Sequence, residues 1–143
     1  MSWRILEKWF NVAPWKGAEY ITDNHGEKFW IHWQDRLERA AELHVWHRGH
    51  WIGVINLLRA ENSSLTLADI FITERSQLRG RGPGSAMMRE FIRWAKENHF
   101  KGIYGVIKPH DGSNREYLVE WYQRQGFQVT GDQIFYELQD IKI

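Results

Sequence analysis

The chain has 143 residues, 43% of them hydrophobic and 26% charged, with a formal net charge of +1; such values suit one globular domain over residues 1–143 that buries about two-thirds of its unfolded surface. The near-neutral balance gives no general attraction to nucleic acid, so any phosphate affinity has to be local. Cysteine is absent, which excludes disulfides, thiolate metal sites and a cysteine acyl-enzyme, and no apolar run approaches the roughly 18 residues of a membrane span.

The N-terminal Met1-Ser2-Trp3-Arg4 lacks the apolar core of a signal peptide, so a cytoplasmic location is expected. Trp3–Phe10 reads as a short helix or an edge strand, and Asn11–Gly17 with Pro14 as a loop. Glu19–Thr22 and Lys28–Trp33 are aromatic and β-branched runs around Asp23-Asn24-His25-Gly26, which predicts a hairpin. Leu43–Arg48 and Trp51–Arg59 flank Gly49-His50, which predicts a second, tight hairpin. Of nine tryptophans, seven lie between Trp3 and Trp51; they are expected mainly to fill a core, with some left to line a cleft or an interface.

Leu65–Thr73 is apolar on both faces apart from Asp69, the pattern of a central strand. From Gly84 to His99 the period changes: Met87, Met88, Phe91, Ile92 and Ala95 recur at helical spacing, with Arg89, Glu90, Arg93, Lys96 and Glu97 on the other side. Gly102–Ile107 is a short strand and Pro109–Asn114 a turn-rich loop. Asn114–Gln125 reads as a helix capped by Gly126, and Phe127–Thr130 with Gln133–Gln139 as a closing strand pair around Gly131-Asp132.

Between the central strand and the first helix stands Arg79-Gly80-Arg81-Gly82-Pro83-Gly84-Ser85. A helix start offers unpaired N–H groups and partial positive charge, and glycines let phosphate oxygens approach them. Arg75, Arg79, Arg81 and Arg89 add charge locally, so an anionic ligand is expected. The Gly-Lys-Ser/Thr ending of a nucleotide P-loop is absent, and Val106, Ile107 and Lys108 stand where a dinucleotide fold needs an acidic residue.

These residues resemble the GNAT superfamily of N-acetyltransferases. Its Arg/Gln-x-x-Gly-x-Gly/Ala signature is matched by Arg79-Gly80-Arg81-Gly82-Pro83-Gly84, and its Tyr-x-x-x-Gly-Phe helix ending by Tyr122-Gln123-Arg124-Gln125-Gly126-Phe127, in that order, within a likeness running from about Leu43 to Leu138. Two departures stand out: Asn114 lies eight residues before Tyr122, where the family more often has seven, and Pro83 replaces an aliphatic residue, which a first helical turn tolerates.

The resemblance implies an α/β (α+β) fold with a central mixed, mostly antiparallel sheet and helices on both faces. It also implies acetyl-CoA as acyl donor without a metal. The coenzyme would be held by Arg79, Gly80, Arg81, Gly82, Gly84 and Ser85, by Asn114, and by strand amides around Phe71, Ile72 and Thr73. Direct attack by an amine needs a base, an oxyanion donor and an acid for the sulfur. Tyr122 matches the family's acid, against a plain packing role; Asp69 and Glu74 are candidate bases, directly or through water, with His110 a third.

His44, His47 and His50 do not make a metal site, because strand positions three apart point to opposite faces. The expected partner is a small-molecule, peptide or protein amine, with no membrane or nucleic acid, and the chain acts as a monomer or homodimer. The alternative is a catalytically silent acyl-CoA-binding sensor or protein-interaction module of the same fold.

Overall fold

The computed structural model describes residues 11–35, 38–73, 82–108 and 115–138. Its strands are β1 (Glu19–Thr22), β2 (Lys28–Gln34), β3 (Ala40–His47), β4 (His50–Arg59), β5 (Ser64–Ile72), β6 (Gly102–Val106), β7 (Gln128–Thr130) and β8 (Gln133–Glu137); its helices are α1 (Pro83–Glu97) and α2 (Arg115–Arg124). They form one sheet in the order β1-β2-β3-β4-β5-β6-β8-β7. Among the described strands only β5 and β6 run parallel, and α1 supplies the crossover that a parallel pair requires. The mixed, mostly antiparallel α/β class agrees with expectation, and Trp3–Phe10 lies outside the described residues.

The first hairpin forms around Asp23, whose Oδ1 accepts from the backbone N–H groups of His25 (2.8 Å) and Glu27 (3.0 Å). The second turns one residue earlier than Gly49-His50. His47 pairs with His50, and Arg48 (φ 50°) with Gly49 (φ 78°) makes the turn. A two-residue hairpin loop of this kind needs positive φ at both central positions, which selects Arg48-Gly49 over a pair ending in histidine.

Two bulges decide which side chains face which way. Asn56 opposes Asp69 while Leu57 opposes Leu67, so Ala68 is an extra residue in β5. Val45 opposes Gly53 while Trp46 opposes Trp51, so Ile52 is extra in β4. Each bulge reverses the alternation beyond it. Ile52 and Ile72 therefore lie toward α1, and Asp69, Phe71 and Trp51 toward the other face.

The core lies between the sheet and α1, around Phe29, Leu43, Ile55, Leu65, Met87 and Phe91. Burying such side chains stabilises the fold by about 1.5–3 kcal/mol each. Glu90, expected on the polar side, is instead buried at 7% exposure; Arg93 covers it, its Nε donating to Oε2 at 2.8 Å and its Nη2 to Oε1 at 2.5 Å. The second helix packs on the same face, where Trp121 and Leu118 join the cluster that holds Tyr122 and Phe127. Both described helices thus contribute to the same buried cluster.

The opposite face gathers much of the aromatic content. Trp30 and Trp94 are buried, but Trp51 is 37% and Phe71 43% exposed. Trp15 stands edge-on to His32 at 5.8 Å and to Trp46 at 5.3 Å, covering the outer part of that face. The tryptophans thus serve a surface cluster as well as the core, because the sheet has apolar groups on both sides. No helix of the described residues is long and apolar enough to cross a membrane.

Candidate functional site

The pairing of β5 with β6 stops early. It covers Ser64–Leu67 against Gly102–Gly105, while β5 continues along β4 to Ile72 and β6 continues along β8 to Val106. Among the described residues, the edge of β5 that faced β6 has no strand beside it from Ala68 onward, and the sheet opens there into a wedge. Lys108 Nζ donates to the Ala68 carbonyl at 3.3 Å, at the start of this opening.

Antiparallel alternation fixes which amides face the wedge. Thr73 N–H donates to Ile52 O at 2.7 Å, and the Phe71 carbonyl abuts Gly53, where an added Cβ would sit 2.6 Å from it. Thr73 and Phe71 therefore direct their backbone groups into β4, and Ile70 and Ile72 direct theirs into the wedge. Of the amides expected around Phe71–Thr73, that of Thr73 is engaged within the sheet. The amide of Ile70, which the sequence did not single out, joins that of Ile72, because the bulge at Ala68 sets the phase.

At the far end of this edge stands the start of α1. Gly82 is its N-cap in a left-handed conformation (φ 100°), with Pro83 in the first turn, no side-chain cap and no acidic residue in that turn. Ala86 N–H makes the first intrahelical bond, to Gly82 O at 2.9 Å, which leaves the Gly84 and Ser85 N–H groups without intrahelical duty. Partial positive charge and two donors free of intrahelical bonding at one helix end suit an anion. A Cβ on Gly84 would meet Ile72 Cδ1 at 2.8 Å, so the end of β5 and the first turn of α1 are in direct contact.

The second helix closes the same corner. Gln125 Nε2 donates to Ser85 Oγ at 2.9 Å, and Trp121 lies 3.5 Å from where a Gly84 Cβ would stand. Tyr122 is 5% exposed, with Trp121 at 5.0 Å and Phe127 at 5.5 Å, both edge-on. Burial, and then the charge of Asp69, pushes its phenol up to about 12. It is a protonated donor across the physiological range. The structure thus brings Ile72, Gly84 and Ser85 together at the start of α1, with Trp121 of α2 and Gln125 just beyond it against them and Tyr122 packed beside Trp121, while Asp69 and Phe71 lie on the face away from the helices. Glu74, Arg79, Gly80, Arg81, His110 and Asn114 lie outside the described residues.

The histidines of β3 separate as strand geometry requires. His44 meets Glu42 on one face, while His47 stacks on Phe29 at 4.9 Å and meets Glu27. Among the described residues no group of three or more His, Asp or Glu could hold a metal ion.

Residues 3–127 match the profile of the acetyltransferase (GNAT) family. Solved structures of similar fold include an IAA acetyltransferase from Bacillus cereus (18% identity, 70% of this chain and 79% of that one, TM-score 0.60). They also include an acetyltransferase from Bacillus subtilis in complex with CoA (18% identity, 72% and 80%, TM-score 0.60). A third is a GNAT family acetyltransferase from Elizabethkingia anophelis with acetyl-CoA bound (14% identity, 77% and 98%, TM-score 0.65). No curated protein matches the chain by sequence.

Proposed function

The chain belongs to the acetyltransferase (GNAT) family, and from that premise we propose that it transfers an acetyl group from acetyl-CoA to a primary amine by direct attack in a ternary complex. One observation carries the reading: among the described residues the edge of β5 beyond Leu67 has no partner strand, and its end meets a helix start without a side-chain cap, with Ile72 against Gly84 at the junction. An extended amide-bearing arm fits such an edge, and a pyrophosphate fits such a helix end. Two similar folds carry CoA or acetyl-CoA.

Acetyl-CoA supplies the activated acyl group as a thioester. The Gly84 and Ser85 amides would hold its pyrophosphate, and Gly80, Arg79 and Arg81, which precede Gly82 in sequence, would bring backbone and charge to the same end. Asn114 lies just before α2 in the chain and is proposed to orient the coenzyme or the helix. The Ile70 and Ile72 amides would direct hydrogen bonds at the acyl oxygen, where negative charge develops during attack.

Asp69, on the face away from the helices, would take the proton of the incoming ammonium directly or through water, with Glu74 the second candidate. Tyr122, protonated at neutral pH, would donate to the departing sulfur. No residue is asked to carry the acyl group, in keeping with a chain that lacks cysteine.

The test is calorimetric titration with acetyl-CoA beside a thiol-release assay over a broad amine panel. Binding with acceptor-dependent thiol release is the expected result. Binding without release to any amine would leave an acyl-CoA sensor, and absence of binding would overturn the reading.

A further inference from the structure

Held by α1 and α2, the coenzyme would reach the wedge from the helix-bearing side, so the amine has to arrive across the opposite face. Cross-strand register defines what stands there. Glu42 pairs with Asn56 and Asn56 with Asp69; His44 pairs with Val54 and Val54 with Phe71. Asp69 and Phe71 end these two rows at the wedge, and the bulge at Ile52 adds Trp51 beside them. Trp15 covers the outer part of the face, while Trp51 and Phe71, 37% and 43% exposed, mark the accessible part nearer the wedge.

Trp51 is held in a defined way. Its ring stacks on Phe71 with centroids 5.9 Å apart and planes 20° from parallel. Its indole Nε1–H donates to His44 Nδ1 at 3.0 Å, and His44 Nε2 lies 2.6 Å from Glu42 Oε2. An indole N–H can only donate, so His44 Nδ1 must present its lone pair. The ring proton then sits on Nε2 and is donated to Glu42. One carboxylate thus sets the tautomer of one imidazole, and that imidazole sets the orientation of an exposed indole.

A carboxylate-lined row ending at Asp69 and an aromatic pair ending at Phe71 offer complementary attractions to one kind of group. An ammonium over an aromatic face is drawn to the ring's negative quadrupole, and on this face it also approaches Asp69, two residues from Phe71. An amine with a neighbouring carboxylate would meet the same groups with the wrong sign. We propose that Trp51, positioned by the Glu42–His44 pair, forms with Phe71 the acceptor wall, and that the acceptor is a primary alkylammonium without an adjacent carboxylate, such as a lysine side chain in a peptide or an alkylamine. This rests on the function proposed above; Trp51 and His44 act as specificity and positioning residues and take no part in the chemistry.

The experiment uses the full chain saturated with CoA or acetyl-CoA. Butylammonium, phenethylammonium and an N-acetylated lysine peptide are titrated by calorimetry against glycine and glutamate, and acceptor KM and kcat are measured for every probe that is turned over. The cationic probes should bind and the two carboxylate-bearing ones should not. Trp51→Phe keeps a ring and removes the N–H; it and His44→Leu should each weaken acceptor binding about tenfold, without a matching change in kcat or in acetyl-CoA affinity.

The two effects should not multiply in the double variant, since both break the same bond. His44→Asn, whose Oδ1 can accept where Nδ1 did, should recover most of the loss. Failure of acetyl-CoA to bind would sink the proposed function instead. With acetyl-CoA bound, preference for the carboxylate-bearing amines, absence of binding by all three cationic probes, or unchanged acceptor binding in Trp51→Phe and His44→Leu would each overturn the acceptor proposal.

Discussion

Gly84 and Ile72 are in such close contact that a methyl group on Gly84 would sit 2.8 Å from Ile72 Cδ1. Gly84 is therefore a packing glycine, whatever ligand role is proposed for it. Gly84→Ala should destabilise the fold by about 1–3 kcal/mol through overpacking. Gly82→Ala meets, among the described residues, only Asp23 Cβ at 3.6 Å but keeps φ near 100°, and should cost about 1–2 kcal/mol in backbone strain. Urea denaturation of both variants checks this, and unchanged midpoints would mean that the loop shifts freely.

A second prediction concerns pH. The Tyr122 phenol, ordinarily at 10.0, is pushed up to about 12. Below pH 10 both folded and unfolded chains hold this proton, and its contribution to stability is fully present. Between about 10 and 12 the unfolded chain has lost the proton while the folded one keeps it, so stability falls as pH rises. Wild type should lose on the order of 2 kcal/mol more than Tyr122→Phe between pH 8.5 and 11.5. Equal losses in urea midpoints would contradict the buried position of the hydroxyl.

The same substitution tests the chemistry at neutral pH. If Tyr122 protonates the departing sulfur, Tyr122→Phe should lower kcat by ~10²–10⁴ while acetyl-CoA affinity changes little. Near-normal turnover would remove the tyrosine from the mechanism and leave water as the proton source.

Direct transfer predicts sequential kinetics. Double-reciprocal plots at several fixed acceptor concentrations should intersect, and no acetylated protein should form in the absence of acceptor. Parallel lines, together with an isolable acetyl-protein that passes its group onward, would contradict direct attack.

Elements with local causes were legible in the sequence. The apolar stripe Met87–Met88–Phe91–Ile92 located α1, the turn residues located both hairpins, and Gly126 (φ 101°) ends α2 as its position implied. Phase beyond a bulge was not legible, because an extra residue reverses the facing of every later side chain without leaving a mark in hydropathy. That is why Ile70 was not seen as a wedge-facing amide and why Trp51 could not be placed beside His44. Glu90 escaped for a similar reason: its burial depends on Arg93 lying over it, a pairing that helical periodicity does not distinguish from two exposed charges. Lys108 gave no signal either, since its contact with Ala68 O follows from how β5 and β6 part.

The central claim is that the first turn of α1 holds the coenzyme phosphates, and Ser85→Glu tests it most directly. A glutamate at the third helical position favours the helix dipole, so the variant should fold at least as well as wild type, while its charge opposes a pyrophosphate at the Gly84 and Ser85 amides. Calorimetry with acetyl-CoA should show wild type binding and Ser85→Glu weakened at least about tenfold. Thermal stabilisation by the coenzyme, about 2.7 kcal/mol at ~100 times its dissociation constant, should shrink in parallel. Equal affinity in the two folded proteins would place the phosphates elsewhere and contradict the account.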